Sequence, residues 1–186
     1  MIAVRAVLDA CVLYPTVLRE ILMGCAAKGL YDPLFSDRIL NEWVRATAKL
    51  GPAQQLFASG EAALLRANFP KAIVPAHRHI EARLMLPDPD DVHVLAVAIG
   101  GSADCIVTFN AVDFPRHLLA EEGLERRDPD GFLCALHAQD PRAVAQVVHD
   151  VHATACRLSG EDFTRKSLLK RVRLTRLEKL LDAART

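Results

Sequence analysis

The chain has 186 residues, 51% hydrophobic and 25% charged, with 23 Lys and Arg against 23 Asp and Glu. That length suits one well-buried domain with an appendage and is too short for two full domains. No apolar run reaches the roughly eighteen residues of a spanning helix, and the start lacks the basic stretch and cleavage site of a signal peptide, so a cytoplasmic protein without a membrane contact is expected. Cys11, Cys25, Cys105, Cys134 and Cys156 are odd in number and never form a Cys-x-x-Cys pair. This excludes a disulfide framework and a thiolate zinc site, leaving reduced, half-buried thiols. The zero net charge hides an asymmetry: residues 164–186 hold eight Lys and Arg against two Asp and Glu, so the preceding residues are acidic by six.

Ala3 to Leu13 is a near-continuous apolar run interrupted by Arg5 and Asp9. Burial on both faces of a parallel sheet selects such runs, and the carboxylate then stands at the sheet rim where open α/β folds bind ligands. Pro15 opens a helix to about Lys28, with Leu18, Ile21, Leu22 and Cys25 on one face and Gly29 as its stop. Pro33-Leu34-Phe35 reads as a short strand. Ser36 reads as the N-cap of a helix carrying Ile39, Leu40, Trp43 and Val44, with Glu42 almost two turns in and Gly51-Pro52 as its end. Residues 53–68 are helical by composition, Ala72-Ile73-Val74 is a predicted strand, and 77–86 has some helical character.

Pro87-Asp88-Pro89-Asp90 is a turn leading into a helix over 91–100, whose buried stripe is Val92, Leu95, Ala96 and Ile99. Gly100-Gly101 stops it, and Cys105 to Phe109 is a further buried strand. From Asp130 the pattern is helical only: Phe132 to His137, Pro141 to Leu158, then Asp162 to the end. Strands alternating with helices imply βαβ units, hence a parallel sheet of four or five strands flanked by helices, with a helical extension beginning near Pro129.

Asp9, Glu42 and Asp91 are spaced as a divalent-metal site would need them. Carboxylates repel one another, so gathering them at one rim is favourable only around a cation; hard oxygen ligands suit Mg²⁺ or Mn²⁺, which assist phosphodiester hydrolysis. Each acid also has an ordinary reading. Asp9 is a good turn residue, Glu42 a typical solvated helix residue, and Asp88, Asp90 and Asp91 precede a helix start where acids cap and oppose the dipole. Thr108 stands at a strand end, able to hydrogen-bond a carboxylate or water. His77-x-His79 and His149-x-x-His152 lack nearby partners and read as surface or packing residues.

The joint order of these pieces resembles the PIN-domain nucleases, specifically the bacterial ribonuclease toxins of toxin–antitoxin pairs. The matching segments are Val7 to Leu13, Leu40-Asn41-Glu42-Trp43, Asp88 to Ala98, and Ile106 to Pro115, with a Pro129 to Leu133 element resembling Pro-x-x-Phe-Leu. The resemblance implies a three-layer α/β/α fold over residues 1–133, with 134–186 as a helical C-terminal extension. It implies that Asp9, Glu42 and Asp91 bind metal. Its fourth acid falls at Asn110, a candidate metal ligand whose amide oxygen can bind weakly or orient a water without bringing charge, while Asp113, three residues on, either takes its place or caps the next helix.

The resemblance further implies a metal-dependent endoribonuclease cutting single-stranded or structured RNA, held in check by a cognate antitoxin protein, with homo-oligomerisation left open. Arg19, Arg38, Arg45 and Lys49 flank the predicted rim and are the candidate RNA contacts, alongside Thr108. The alternative is a hydrolytically silent RNA-binding or regulatory module, because Asn110 removes one charge. A phosphoaspartyl hydrolase or receiver is disfavoured: no second acid follows Asp9 at two residues. The tail from Arg165 to Leu181 alternates basic and apolar residues at helical intervals, as a basic amphipathic helix would.

Overall fold

The structure is a computed structural model in which residues 3–183 are described. In chain order come strand β1 (Arg5–Leu8), a single helical turn α1 (Ala10–Leu13), α2 (Thr16–Ala27), β2 (Asp32–Leu34), α3 (Asp37–Ala46), α4 (Pro52–Asn68), the turn α5 (Arg78–Glu81) and α6 (Val92–Gly100). They are followed by β3 (Cys105–Val107), α7 (Arg116–Glu121), β4 (Glu125–Arg127), α8 (Pro129–Gln139), α9 (Pro141–Ser159), α10 (Arg165–Arg171) and α11 (Thr175–Ala183). These elements divide into two compact units. One comprises Met1–Tyr14 and Asp32–Arg127; the other comprises Pro15–Tyr31 and Asp128–Thr186.

The first unit is α/β. Among the described residues its sheet has four strands in the order β2-β1-β3-β4, all parallel. Ala6, Val7 and Leu8 of β1 and Cys105, Ile106 and Val107 of β3 are buried, as their unbroken apolar runs require. Leu8 lies opposite Val107, so Asp9 and Thr108 emerge side by side at the carboxyl ends of the two central strands. The strand that follows β1 in sequence lies on one side of it and β3 on the other, which makes this rim the topological switch point.

Several elements depart from the sequence expectation. The first strand ends at Leu8, and the apolar residues after Asp9 wind into α1. Ala72-Ile73-Val74 is not a strand: Pro70 to Ala72 form a 3₁₀ turn, and Phe35 and Ile73 make an isolated parallel bridge. Pro70 and Pro75 bracket the segment and leave no room for a ladder. Conversely, Glu125-Arg126-Arg127 is a genuine strand, with Ile106 opposite Arg126. Ser36 acts as the expected cap, its Oγ accepting from the Ile39 N–H at 3.2 Å. Ile39, Leu40 and Trp43 bury one face of α3 and leave Arg38 and Glu42 on the more exposed side.

The second unit is all helical, with α8 packed against α9 and α11, and α2 against α9. Tyr31 sets its ring edge-on to Phe132, with centroids 4.9 Å apart, and donates its hydroxyl to the Leu22 carbonyl at 3.1 Å. Gly24 permits the close helix contact, because a Cβ there would lie 2.6 Å from Val147 Cγ1. The basic tail is two short helices and not one. Arg173 adopts φ 61°, and the Leu174 N–H returns to the Leu169 carbonyl at 2.9 Å, ending α10 before α11 begins. The apolar interval survives the break because Leu168, Leu169, Leu174, Leu177 and Leu181 all reach the core. Ala184 to Thr186, the end of the expected tail helix, lie outside the described residues.

Candidate metal centre

The site is assembled entirely from the first unit. Asp9 is 7% exposed, and its Oδ2 accepts from Thr108 Oγ1 at 2.6 Å and from Cys11 Sγ at 3.1 Å. Thr108 is itself buried and takes a hydrogen bond from the Asn110 N–H at 2.9 Å. Burial and then the Asp9 charge push the Cys11 thiol up to about 12, so it remains an S–H donor to that carboxylate. Cys11 also accepts from the Phe109 N–H at 3.3 Å. One carboxylate orientation is thus fixed by two side chains that both answer to the segment after β3.

The second part is the turn before α6. Asp88 does the capping: its Oδ1 accepts from the Asp90 N–H at 2.9 Å. Asp91 occupies the N-cap position of α6, yet its side chain makes no capping bond. It is free to face elsewhere, and it does so: ligand oxygens of Asp88, Asp91 and Asp113 lie within 4.8 Å of one another, all three residues being half-buried. Burial, followed by the charges of Asp9, Asp88 and Asp113, raises the Asp91 carboxyl to about 6, against a smaller opposing pull from His93. Asp9 therefore belongs electrostatically to this group, although it is not one of the three clustered carboxylates.

Glu42 is held separately. Its Oε1 lies 3.1 Å from Arg38 Nε and 3.0 Å from Nε2 of His93, a residue only 2% exposed on the first turn of α6. Burial alone would raise the Glu42 carboxyl, but the hydrogen bonds and charges of His93 and Arg38 outweigh it and hold the group below the ordinary glutamate range. Arg38 also donates from Nη2 to the Asp90 carbonyl at 3.3 Å, tying α3 to the acidic turn.

Asn110 and Asp113 sit on the loop after β3. The Asn110 Oδ1 accepts from the Asp113 N–H at 3.2 Å, while Nδ2 donates to Asp91 Oδ2 at 3.1 Å and Asp113 Oδ2 at 2.7 Å. Arg126 fastens this loop from β4, donating from Nη1 to the carbonyls of Ala111 at 2.6 Å and Phe114 at 2.9 Å.

Of the basic residues read from sequence, Arg45 and Lys49 are exposed, and Lys49 lies 5.2 Å over the Tyr14 ring. Arg38 is engaged with Glu42. Arg19 is 2% exposed in the second unit, 3.7 Å from Glu20, and Thr108 is buried under Asp9; neither presents a surface to a large ligand. Asp88 is the residue that reading for capping undervalues. The signal available was its Asp-x-x-Asp spacing, which on a 3₁₀ turn brings both carboxylates to one side. Three hard oxygen donors with an unusually proton-hungry member are a set that a divalent cation satisfies.

The chain belongs to the PIN-domain family: the family model described as PIN domain matches residues 5–111. The match spans Asp9, Glu42, Asp88, Asp91, Thr108 and Asn110, and the four-stranded parallel sheet is that of the PIN-like α/β/α fold. Members of this family are generally nucleases and usually use divalent metal ions. No curated protein and no solved structure matches the chain significantly. Among the described residues no helix is long and apolar enough to cross a membrane.

Proposed function

We propose that the chain is a metal-dependent endoribonuclease acting on single-stranded RNA, and the toxin of a toxin–antitoxin pair. The observation that carries the reading is the convergence of Asp88, Asp91 and Asp113 at the switch point of a PIN fold, within the electrostatic reach of Asp9. In this proposal Asp91 is the central ligand of Mg²⁺ or Mn²⁺, with Asp9, Asp88 and Asp113 around it and Glu42 on the α3 side. An ion held there would supply charge stabilisation for the phosphoryl oxygens and a lowered pKa for water.

The protein's own part is positioning. Thr108 and Cys11 keep the Asp9 carboxylate aimed along one direction, which lowers the reorganisation needed when cation and substrate arrive. His93 and Arg38 hold Glu42 ionised at neutral pH. Arg45 and Lys49 are exposed cations on the α3 side that, unlike Arg38, are not engaged with Glu42 and would meet RNA phosphates, while unpaired bases are what such an open rim can read. The toxin reading rests on the sequence resemblance, and its partner would be an antitoxin protein.

The test is cleavage of a labelled single-stranded RNA in Mg²⁺, Mn²⁺ and EDTA, with Asp91→Asn alongside. Activity that needs the ion and is lost in the variant supports the reading; metal-independent cleavage, or full activity in the variant, refutes it. Arrest of growth on expression, relieved by a neighbouring small gene, tests the toxin assignment separately. The second reading, a silent RNA-binding module, draws on Asn110 standing where a charged ligand would complete the set, and it predicts RNA binding with no ion-dependent turnover.

A further inference from the structure

We propose that Asn110 is a positioning residue: its side-chain amide clamps the carboxylates of Asp91 and Asp113 together before any cation arrives. The orientation of the amide is fixed by chemistry and does not depend on telling nitrogen from oxygen. The Asp113 backbone N–H points at one end of the group from 3.2 Å, and only an oxygen can accept it. The NH₂ end must then face the two carboxylates, and both of its protons are spent there, at 3.1 Å to Asp91 and 2.7 Å to Asp113.

The clamp has a rigid mount. The Asn110 N–H is held by Thr108 Oγ1 at 2.9 Å, the same hydroxyl that donates to Asp9 at 2.6 Å, and Arg126 pins the carbonyls on either side of Asp113. A single run of hydrogen bonds therefore joins Asp9, Thr108, Asn110, Asp91 and Asp113. An amide at its centre donates without neutralising, so the acids stay close while keeping the charge that attracts a cation. A carboxylate at this position would have no proton to give and would add one more negative group between two others. Asn110 Oδ1 is already engaged with the Asp113 N–H, which assigns the residue to arranging ligands and not to being one. Ligating carboxylates that are themselves hydrogen-bonded typically lose 10–100-fold in metal affinity when that support is removed, about the effect expected here.

The inference concerns the same cluster as the proposed nuclease and rests on that reading for its catalytic meaning, but its deciding measurements are made in EDTA and without RNA. In ¹⁵N-labelled full-length protein in EDTA, the Asn110 side-chain NH₂ should exchange slowly with solvent and resonate apart from those of Asn41 and Asn68. Asp113→Asn should move it, and Mg²⁺ should shift it again. Asn110→Ala should lower the melting temperature in EDTA by roughly 5 °C. Asn110→Asp should lower it further, and adding Asp113→Asn to that variant should restore part of the loss, because it removes the charge being opposed. An Asn110 amide that exchanges as fast as Asn41, or an Asn110→Asp variant as stable as the parent in EDTA, overturns the clamp even if Mg²⁺ binds. A protected amide in a protein that binds no Mg²⁺ would support the clamp and defeat the metal reading instead.

Discussion

Two groups of acids in this chain have been given opposite treatment. In the helical unit, Asp130 accepts from the Arg176 N–H at 2.8 Å, its Nε at 3.3 Å and the Leu177 N–H at 2.9 Å, while Asp128 pairs with the Arg176 guanidinium. Glu178 is gripped by Arg165 Nε at 3.0 Å and Nη2 at 3.1 Å. In the α/β unit, no Lys or Arg among the described residues pairs with Asp88, Asp91 or Asp113. Their proton affinities record the difference. Burial would raise Asp128, but the Gly131 N–H and Arg176 leave it below the ordinary range, whereas Asp91 is raised to about 6. Acids that hold a fold together come with their cations supplied by the chain; acids left to repel each other are the ones a cation from solution would satisfy.

Substitutions on the two sides should therefore have opposite signs. The largest effect expected is on catalysis: Asp91→Asn should reduce ion-dependent RNA cleavage by more than about 100-fold, beyond what supporting residues around a metal typically contribute. The same variant should melt no lower than the parent in EDTA, because it removes a mutual repulsion. A clear loss of stability there would break the comparison. Asp130→Ala should do the reverse, costing about 2 kcal/mol by stranding the Arg176 and Leu177 N–H groups, with denaturant unfolding as the measure. The metal-binding isotherm of that variant, taken below its melting point, should be unchanged.

Thr108→Val should fall between these. It keeps the shape but loses the donor to Asp9, so Mg²⁺ affinity measured by calorimetry should fall roughly 10-fold; an unchanged isotherm would mean Asp9 needs no such guide. The smallest effect expected is in the pH dependence. Asp91 in the folded chain binds its proton near pH 6, above the ordinary aspartate value of 3.8, so the metal-free protein should lose this group's stability as pH rises from about 4 to 6. Asp128 has the opposite sign: its contribution is complete above 3.8 and lost only as pH falls through its depressed value. Melting curves of Asp91→Asn and parent in EDTA should converge below about pH 4 and separate as pH rises through about 6, the parent lower by a few degrees at pH 7.5.

These contrasts were only partly legible in the sequence. Ser36 and the Asp88 turn could be read because capping depends on neighbours in the chain, and β1 and β3 because burial on both faces leaves an apolar run. Glu125-Arg126-Arg127 carries no apolar residue, and its strand pairing comes entirely from β3 beside it. Ala10 to Leu13 gave too short a run for periodicity to separate strand from helix. The break at Arg173 was hidden because the leucines resume their interval after it. At the site, sequence order pointed to Asp9, Glu42 and Asp91 without showing which oxygens meet. That depends on Asp88 taking over the cap and on the loop held by Arg126, neither of which is a local property.

The two margins of the sheet carry a consequence for how the protein behaves in a crowded solution. A bare strand edge is a template on which another chain can crystallise its backbone, and such growth leads to fibrils and inclusion bodies. At one margin Pro33 removes a backbone donor from β2, and the lone Phe35 to Ile73 bridge ends the pairing after one residue. At the other, β4 is three residues long, with the Arg127 guanidinium 2.8 Å from Glu125. A segment made only of charged side chains is a poor seed for self-templating. At the β4 margin, the run of charge that concealed the strand from sequence reading also keeps a four-stranded ribbon from becoming a longer one.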